Sequence, residues 1–140
     1  MRYALLAVLV AAALSAPSAS AASGITTFRT PSGNILCAYL HITGVEVSLR
    51  CDILSGLEPP PKKPASCEFD WGGSVGLNRT GKARSLCVSD TPTSPLAKVI
   101  PYGATWRLGP FKCVSSKKGL ECSNASGRGF FLSRGLSYFF

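Results

Sequence analysis

Short runs of apolar and polar residues fill most of this chain, and glycine or proline separates each run from the next. After residue 21, no stretch keeps the apolar period of about 3.6 residues that an amphipathic helix requires. Turn residues about every eight to twelve positions are typical of all-β sandwiches and barrels. The pattern therefore predicts an all-β fold, a small disulfide-bonded sandwich or partly open barrel built of hairpins.

The stretch NILCAYLHITGVEVSLRCDI, residues 34–53, predicts a hairpin that turns at Gly44 and sets Cys37 opposite Cys51. Successive strand residues point to opposite sides of a sheet, so the two faces can be read separately. We expect the first face in the core: Cys37/Cys51, Ile35/Ile53, Tyr39/Leu49 and His41/Val47. We expect the second face to lie at least partly in water: Leu36/Asp52, Ala38/Arg50, Leu40/Ser48 and Ile42/Glu46.

A second hairpin is predicted in FKCVSSKKGLECSN, residues 111–124, with its turn at Ser116–Gly119. Glycine suits the positive φ of a hairpin loop, and this turn sets Cys113 opposite Cys122. The two remaining cysteines, Cys67 and Cys87, then pair by elimination. Six cysteines allow many other connectivities, so sequential pairing depends on the two hairpin registers.

The N-terminus has the layout of a secretory signal peptide. Arg2 precedes an apolar run of 12 residues, Tyr3–Leu14, and the small-residue stretch SAPSASAAS follows. The run is too short to cross the roughly 30 Å hydrocarbon core of a membrane as a helix, and a buried N-terminal helix is the alternative. We expect residues 1–21 to be removed and residues 22–140 to form one β domain that is secreted or faces the cell envelope. Disulfides are common in such compartments.

The sequence is basic, with 15 Lys and Arg residues against 7 Asp and Glu and a formal net charge of +8. A basic extracellular protein favours anionic partners, although the charge can equally serve solubility. The expected partner is an unknown protein or an anionic envelope polymer, and we expect a monomer without a transmembrane segment. The two Lys-Lys pairs, Lys62-Lys63 and Lys117-Lys118, fall in predicted turns without neighbouring aromatic residues.

GLNRTGKA, residues 76–83, resembles a phosphate-binding loop but ends in Ala83, where that loop needs a hydroxyl residue for magnesium. The prolines that follow prevent the helix that such a loop requires. We therefore expect a hairpin turn at Gly81, with no bound nucleotide and no cofactor.

Catalytic and metal-binding signals are weak. His41 is the only histidine, and the acids nearest to it in sequence fall on the opposite face of its predicted hairpin. Glu68 and Asp70 share one face of a segment and could serve glycoside chemistry, but a solvated edge is the alternative. No C-x-x-C pair occurs, so we expect no metal site. These observations favour a non-enzymatic protein, with a small hydrolase that uses His41 or a carboxylate as the alternative.

The C-terminal stretch GRGFFLSRG, residues 127–135, is the predicted recognition surface. If Phe131 is the core residue, alternation exposes the other face, which has the composition of a binding hot spot: Arg128, Phe130, Leu132 and Arg134. The alternative is that Phe130 packs under a neighbouring loop. The final stretch GLSYFF predicts a last strand that buries Tyr138 and Phe140. Asn78 and Asn124 stand in glycosylation sequons.

Six segments together resemble a family of small secreted bacterial proteins, frequent in actinobacteria and known as a domain of unknown function: PSGNILC, LRCDI, WGGSVGL, LCVSDT, PYGATWRLGPFKC and GLECSNASGRGFFLSR. The resemblance extends from about Phe28 to Arg134 and includes all six cysteines. It implies secretion and one disulfide-bonded β domain, and it supplies no activity. The family commonly has histidine where this chain has Arg128. We expect a binding or accessory module of unknown ligand, with a hydrolase or an enzyme inhibitor as alternatives.

Overall fold

The computed structural model describes residues 24–92, 94 and 96–140, and these residues form β-strands without a helix. The first sheet contains β1 (Gly24–Arg29), β2 (Ile35–His41), β3 (Ser48–Ile53), β4 (Ser74–Asn78), β5 (Arg84–Ser85) and β6 (Lys98–Val99). The second contains β7 (Thr105–Leu108), β8 (Phe111–Ser116), β9 (Gly119–Ser123), β10 (Gly129–Leu132) and β11 (Ser137–Phe139). The predicted signal peptide, residues 1–21, lies outside the described residues, and the domain boundary at residue 22 stays a prediction.

The strand order is β5-β4-β3-β2-β1-β6 in the first sheet and β11-β10-β9-β8-β7 in the second. Neighbouring strands are antiparallel, except that β6 runs parallel to β1. Neither sheet closes on itself, so the all-β prediction is confirmed as two packed sheets rather than a barrel.

Both predicted hairpin registers are confirmed. In β2 and β3, Cys37 lies opposite Cys51, and in β8 and β9, Cys113 lies opposite Cys122. Each of these two pairs forms a disulfide, and the third predicted disulfide, Cys67–Cys87, is also present.

The core lies between the two sheets and contains both cross-strand disulfides, whose four cysteines have no exposed surface. Aromatic rings join the sheets across this core. Phe28 of the first sheet packs on Trp106 of the second, with ring centroids 4.5 Å apart. Tyr39 meets Phe111 edge to face at 5.9 Å. Because the disulfides and the rings share one apolar layer, the inner face of each sheet is determined by its cysteines.

The outer face of the first sheet is less exposed than predicted. Ala38 and Asp52 are buried, at 4% and 6% exposure. Arg50 donates hydrogen bonds to the Asp52 carboxylate at 2.9 Å and to the Asp90 carboxylate at 2.7 Å. The Arg50–Asp90 ion pair holds the segment after β5 against the sheet, where Ala38 and Asp90 line one cavity. The alternation was right, but a loop covers part of the face that we expected in water.

The contact between Arg50 and Asp90 shifts the pKa values of both groups. Burial of Arg50 disfavours its charge, but the hydrogen bonds to Asp52 and Asp90 outweigh burial and raise the pKa of Arg50. The hydrogen bond from Arg50 lowers the pKa of Asp90. The ion pair therefore holds this loop fully at pH values above the usual pKa range of carboxyl groups. It weakens as the pH falls through the lowered pKa of Asp90.

The GLNRTGKA stretch contains the end of β4 and the turn that leads to β5, as predicted, and Gly81 in this turn has a φ of 84°. A buried side chain of the opposite sheet holds this turn. The Asn124 amide donates hydrogen bonds to the carbonyls of Asn78 and Gly81 at 3.0 and 2.8 Å. Its oxygen accepts hydrogen bonds from the backbone amides of Ser126 and Arg128 at 3.0 and 3.1 Å. Asn124 therefore links the ends of both sheets, and in the folded protein its nitrogen is inaccessible as a glycosylation acceptor.

We expect the Cys37→Ser/Cys51→Ser variant to lose about 2–5 kcal/mol of unfolding free energy, the usual cost of a disulfide in a small domain. The matched control is Cys67→Ser/Cys87→Ser, whose disulfide closes a longer loop, 20 residues against 14. The control should lose less, because it leaves one hydroxyl at a buried position, Cys67, and one at exposed Cys87, whereas the Cys37/Cys51 variant leaves two hydroxyls in the core. Equilibrium unfolding in urea measures both. A melting temperature within a degree or two of the parent would contradict the expectation for the core pair.

We expect Asn124→Ala to lower the unfolding free energy by about 2–4 kcal/mol, because the carbonyls of Asn78 and Gly81 lose their donor. Ser126→Ala is the control in the same turn, since Ser126 is exposed and its hydroxyl makes only peripheral contacts, accepting a hydrogen bond from the Gly81 amide and donating one to the Asn124 side-chain oxygen, while both donors of the Asn124 amide stay in place. In urea, the unfolding midpoint of the control should lie clearly closer to that of the parent than the midpoint of Asn124→Ala does. Equal midpoints for the two variants would show that the Asn124 side chain does not hold the sheets together.

Candidate functional site

The recognition surface predicted on β10 lacks the two exposed apolar side chains that we expected there. Phe130 and Leu132, which we expected to be exposed, have no exposed surface. The register of β9 and β10 sets Phe130 opposite Cys122 and Leu132 opposite Leu120. Both side chains therefore share the inner face with the Cys122 disulfide. The alternation was correct, but the exposed side of the strand is the opposite one.

The two arginines of that prediction remain exposed but lie apart. Arg128 lies in the turn before β10, and Arg134 lies in the turn after it. The structure therefore divides the predicted site into two buried core residues and two cations at opposite ends of one strand. Each cation lines a different cavity.

Arg134 lines a cleft of about 280 Å³ between the ends of the two sheets, which we call the hairpin cleft. The β1–β2, β8–β9 and β10–β11 turns form its walls. Lys117 and Lys118 extend from the β8–β9 turn, and Ser32, Asn34 and Tyr102 are among the other polar residues of the lining. None of the described residues that line the cleft carries a carboxylate.

Short-range hydrogen bonds hold the turns that carry these cations. The Ser116 hydroxyl accepts hydrogen bonds from the amides of Lys118 and Gly119, both at 3.2 Å. The Ser133 hydroxyl donates to the carbonyl of Leu136 at 2.7 Å and accepts from its amide at 3.0 Å. The backbones beside the cations are therefore ordered, while the charged side chains themselves extend into solvent.

No ion pair among the described residues neutralises the positive charge of the hairpin cleft. Both ion pairs found in residues 24–92, 94 and 96–140 belong to Arg50, and none involves Lys117, Lys118 or Arg134. Three cations that form no ion pair with the described acidic residues create a positive potential that attracts anions.

Aromatic side chains occupy the outer face of the second sheet, where we define an aromatic strip of Phe131, Tyr138 and Phe140. The Phe131 and Tyr138 rings are stacked with centroids 5.4 Å apart, and Tyr138 lies 6.2 Å from Phe140. Tyr138 is 45% exposed and Phe140 is half-buried. The predicted last strand is present, but the prediction that it buries Tyr138 is wrong, because β11 is an edge strand and Tyr138 follows Phe131 on the solvent side.

A second cavity, of about 370 Å³, lies at the other end of β10. Arg128 and Lys82 line it together with Phe139 and Phe140. Lys82 is the lysine of the GLNRTGKA turn, and the Asn124 hydrogen bonds hold that turn beside Arg128.

The residues considered for catalysis are not brought together. His41 ends β2 and stacks on Tyr39 with centroids 6.2 Å apart. Glu68 and Asp70 lie exposed in the segment between β3 and β4. None of the three lines the hairpin cleft or the Arg128 cavity. The three residues considered for catalysis therefore do not form one site with either cavity.

The described part of the chain contains no group of three or more His, Cys, Asp or Glu side chains that could hold a metal ion. It also contains no helix that is long and apolar enough to cross a membrane.

Sequence reasoning missed the hairpin cleft and the aromatic strip. Lys117 and Lys118 were visible as a pair in a turn, but the chain gives no local sign that Arg134 and Tyr102 line the same cleft. The outward position of Phe131 in the aromatic strip could have been predicted from the sequence. Extending the hairpin register from Cys122 across the next turn sets Phe130 on the inner face and Phe131 on the outer face.

No curated protein and no solved structure matches this chain. The sequence model of DUF6636, described as a family of unknown function, matches residues 4–140, which is nearly the whole chain. This match confirms the resemblance carried by the six cysteines and their flanking motifs. The chain belongs to DUF6636, a family of unknown function.

Proposed function

We propose that this protein is a non-enzymatic binding module of the extracellular space or cell envelope, and that its ligand is an anionic polymer held at the hairpin cleft. The observation that carries the proposal is the grouping of Lys117, Lys118 and Arg134 around a cleft without a carboxylate. Each of these side chains is exposed and free to meet an anionic group.

The disulfides support the expected compartment. Three disulfides and no free cysteine among the described residues fit an oxidising environment outside the cytosol. Anionic polymers of cell walls and surfaces are abundant in that setting. A repeating polymer presents many negative groups, so even a shallow cleft gains affinity from successive contacts.

Preorganisation also favours binding. The Cys113–Cys122 disulfide joins the two strands whose turn carries Lys117 and Lys118. The turn is thus held before the ligand arrives, and association loses little additional backbone entropy. The long lysine side chains remain mobile enough to follow an irregular row of charges.

We expect Lys117→Ala/Lys118→Ala to weaken binding of poly-L-glutamate and of polygalacturonate by roughly two- to thirtyfold at low salt. Exposed ion pairs contribute about 0.2–1 kcal/mol each, and about 1.4 kcal/mol is a factor of ten. Fluorescence anisotropy with labelled polymers measures the affinity. The salt dependence of binding should also become shallower, because fewer ion contacts form.

The matched control is Lys62→Ala/Lys63→Ala, which removes the other Lys-Lys pair and makes the same change in net charge. Both control lysines are exposed, and neither lines the cleft. The control should retain most of the affinity. If both double variants lose affinity equally, net charge alone drives binding and the cleft is not the site.

A further inference from the structure

The hairpin cleft and the aromatic strip meet at Gly119. Gly119 lines the cleft, and the Phe131 ring lies directly against it. A Cβ atom at position 119 would lie 2.7 Å from Cζ of Phe131, closer than any normal carbon contact. The absent side chain therefore lets the first ring of the strip approach the edge of the cleft without a barrier between them.

The strip continues from Phe131 through Tyr138 to Phe140 and ends at the cavity of Arg128 and Lys82. Cations thus stand at both ends of a row of aromatic rings. A ligand that lies along this row meets positive charge, then rings, then positive charge again. This order suits a linear molecule that carries both anionic groups and flat apolar faces.

Two classes of linear polyanion carry rings, namely acidic polysaccharides and single-stranded nucleic acids. Both stack on aromatic side chains, bases through their π-faces and sugars through C–H groups that meet the negative face of the ring. Exposed Glu121 lies opposite Phe131 in the β9–β10 register, on the same outer face. Its carboxylate repels the anionic groups of either polymer, but it can accept hydrogen bonds from the free hydroxyls that each sugar of a polysaccharide carries and that the sugars within a DNA strand lack. This hydrogen-bonding capacity therefore favours the polysaccharide.

We infer that the ligand is an anionic glycan, whose sugar rings stack on the aromatic strip while its acidic groups meet the cations of the hairpin cleft. This inference deepens the proposed function and rests on it. Tyr138, the most exposed ring of the strip, is the stacking residue that a binding experiment can isolate.

The test compares two carboxylate polymers that differ in their backbone, polygalacturonate with sugar rings and poly-L-glutamate without them. We expect Tyr138→Ala to weaken polygalacturonate binding about three- to tenfold, the range of an aromatic stacking contact. Binding of poly-L-glutamate should stay within about twofold of the parent. Tyr138→Phe keeps the ring and should keep the affinity for both polymers. If Tyr138→Ala fails to fold, Tyr138→Leu retains apolar packing at the position without the ring.

Phe69→Ala is the matched control, since Phe69 is an aromatic residue with 54% exposure that does not belong to the strip. It should bind both polymers like the parent, and thermal melting checks that every variant is folded. Unchanged polygalacturonate binding in the folded Tyr138→Ala variant would overturn the inference, while the loss in Lys117→Ala/Lys118→Ala would keep the proposed function intact. A parent protein that binds neither polymer would overturn both. Tighter binding of oligo(dT) that Tyr138→Ala removes would assign the strip to nucleic acid and reject the glycan.

Discussion

The structure depends on two disulfides that join neighbouring strands on the inner faces of the two sheets. In each pair the cysteines lie directly opposite one another, and all four are buried in the shared core. Because strand side chains alternate, a slip of one residue would carry a cystine to the surface and every core residue with it. The two disulfides therefore select the register of both hairpins and, through the hairpins, the identity of each outer face.

A polar contact complements this apolar layer at one end of the molecule. Asn124 connects the turn after β4 with the turn before β10, so that Lys82 and Arg128 lie beside the same cavity. Buried amides of this kind are costly to leave unpaired, and that cost makes the arrangement specific. At the opposite end the hydroxyls of Ser116 and Ser133 hold the turns of the hairpin cleft. The candidate binding surface thus extends between two ends that are both held by side-chain hydrogen bonds.

The function proposed here follows from which side of β10 faces solvent. With Phe130 and Leu132 in the core, the chain presents Phe131 and Tyr138 outward, and the cations divide between the two ends of the strand. A compact hot spot of the kind expected from the sequence would suit a protein partner with a small apolar knob. A row of rings between separated cations suits an extended, charged polymer instead. The correction of one strand face therefore changes the class of ligand.

The sequence by itself determined the all-β class, the two hairpin registers and all three disulfides, because alternation and cysteine spacing are local properties that act across one turn. It also determined that GLNRTGKA is a turn. Only the tertiary structure decided which outer faces are covered, as the loop held by Arg50 and Asp90 shows, because a distant segment supplies that cover. It likewise decided that Arg134 and Lys117 line the same hairpin cleft. These groups lie on different turns, and no periodicity along the chain records how two sheets are placed against each other.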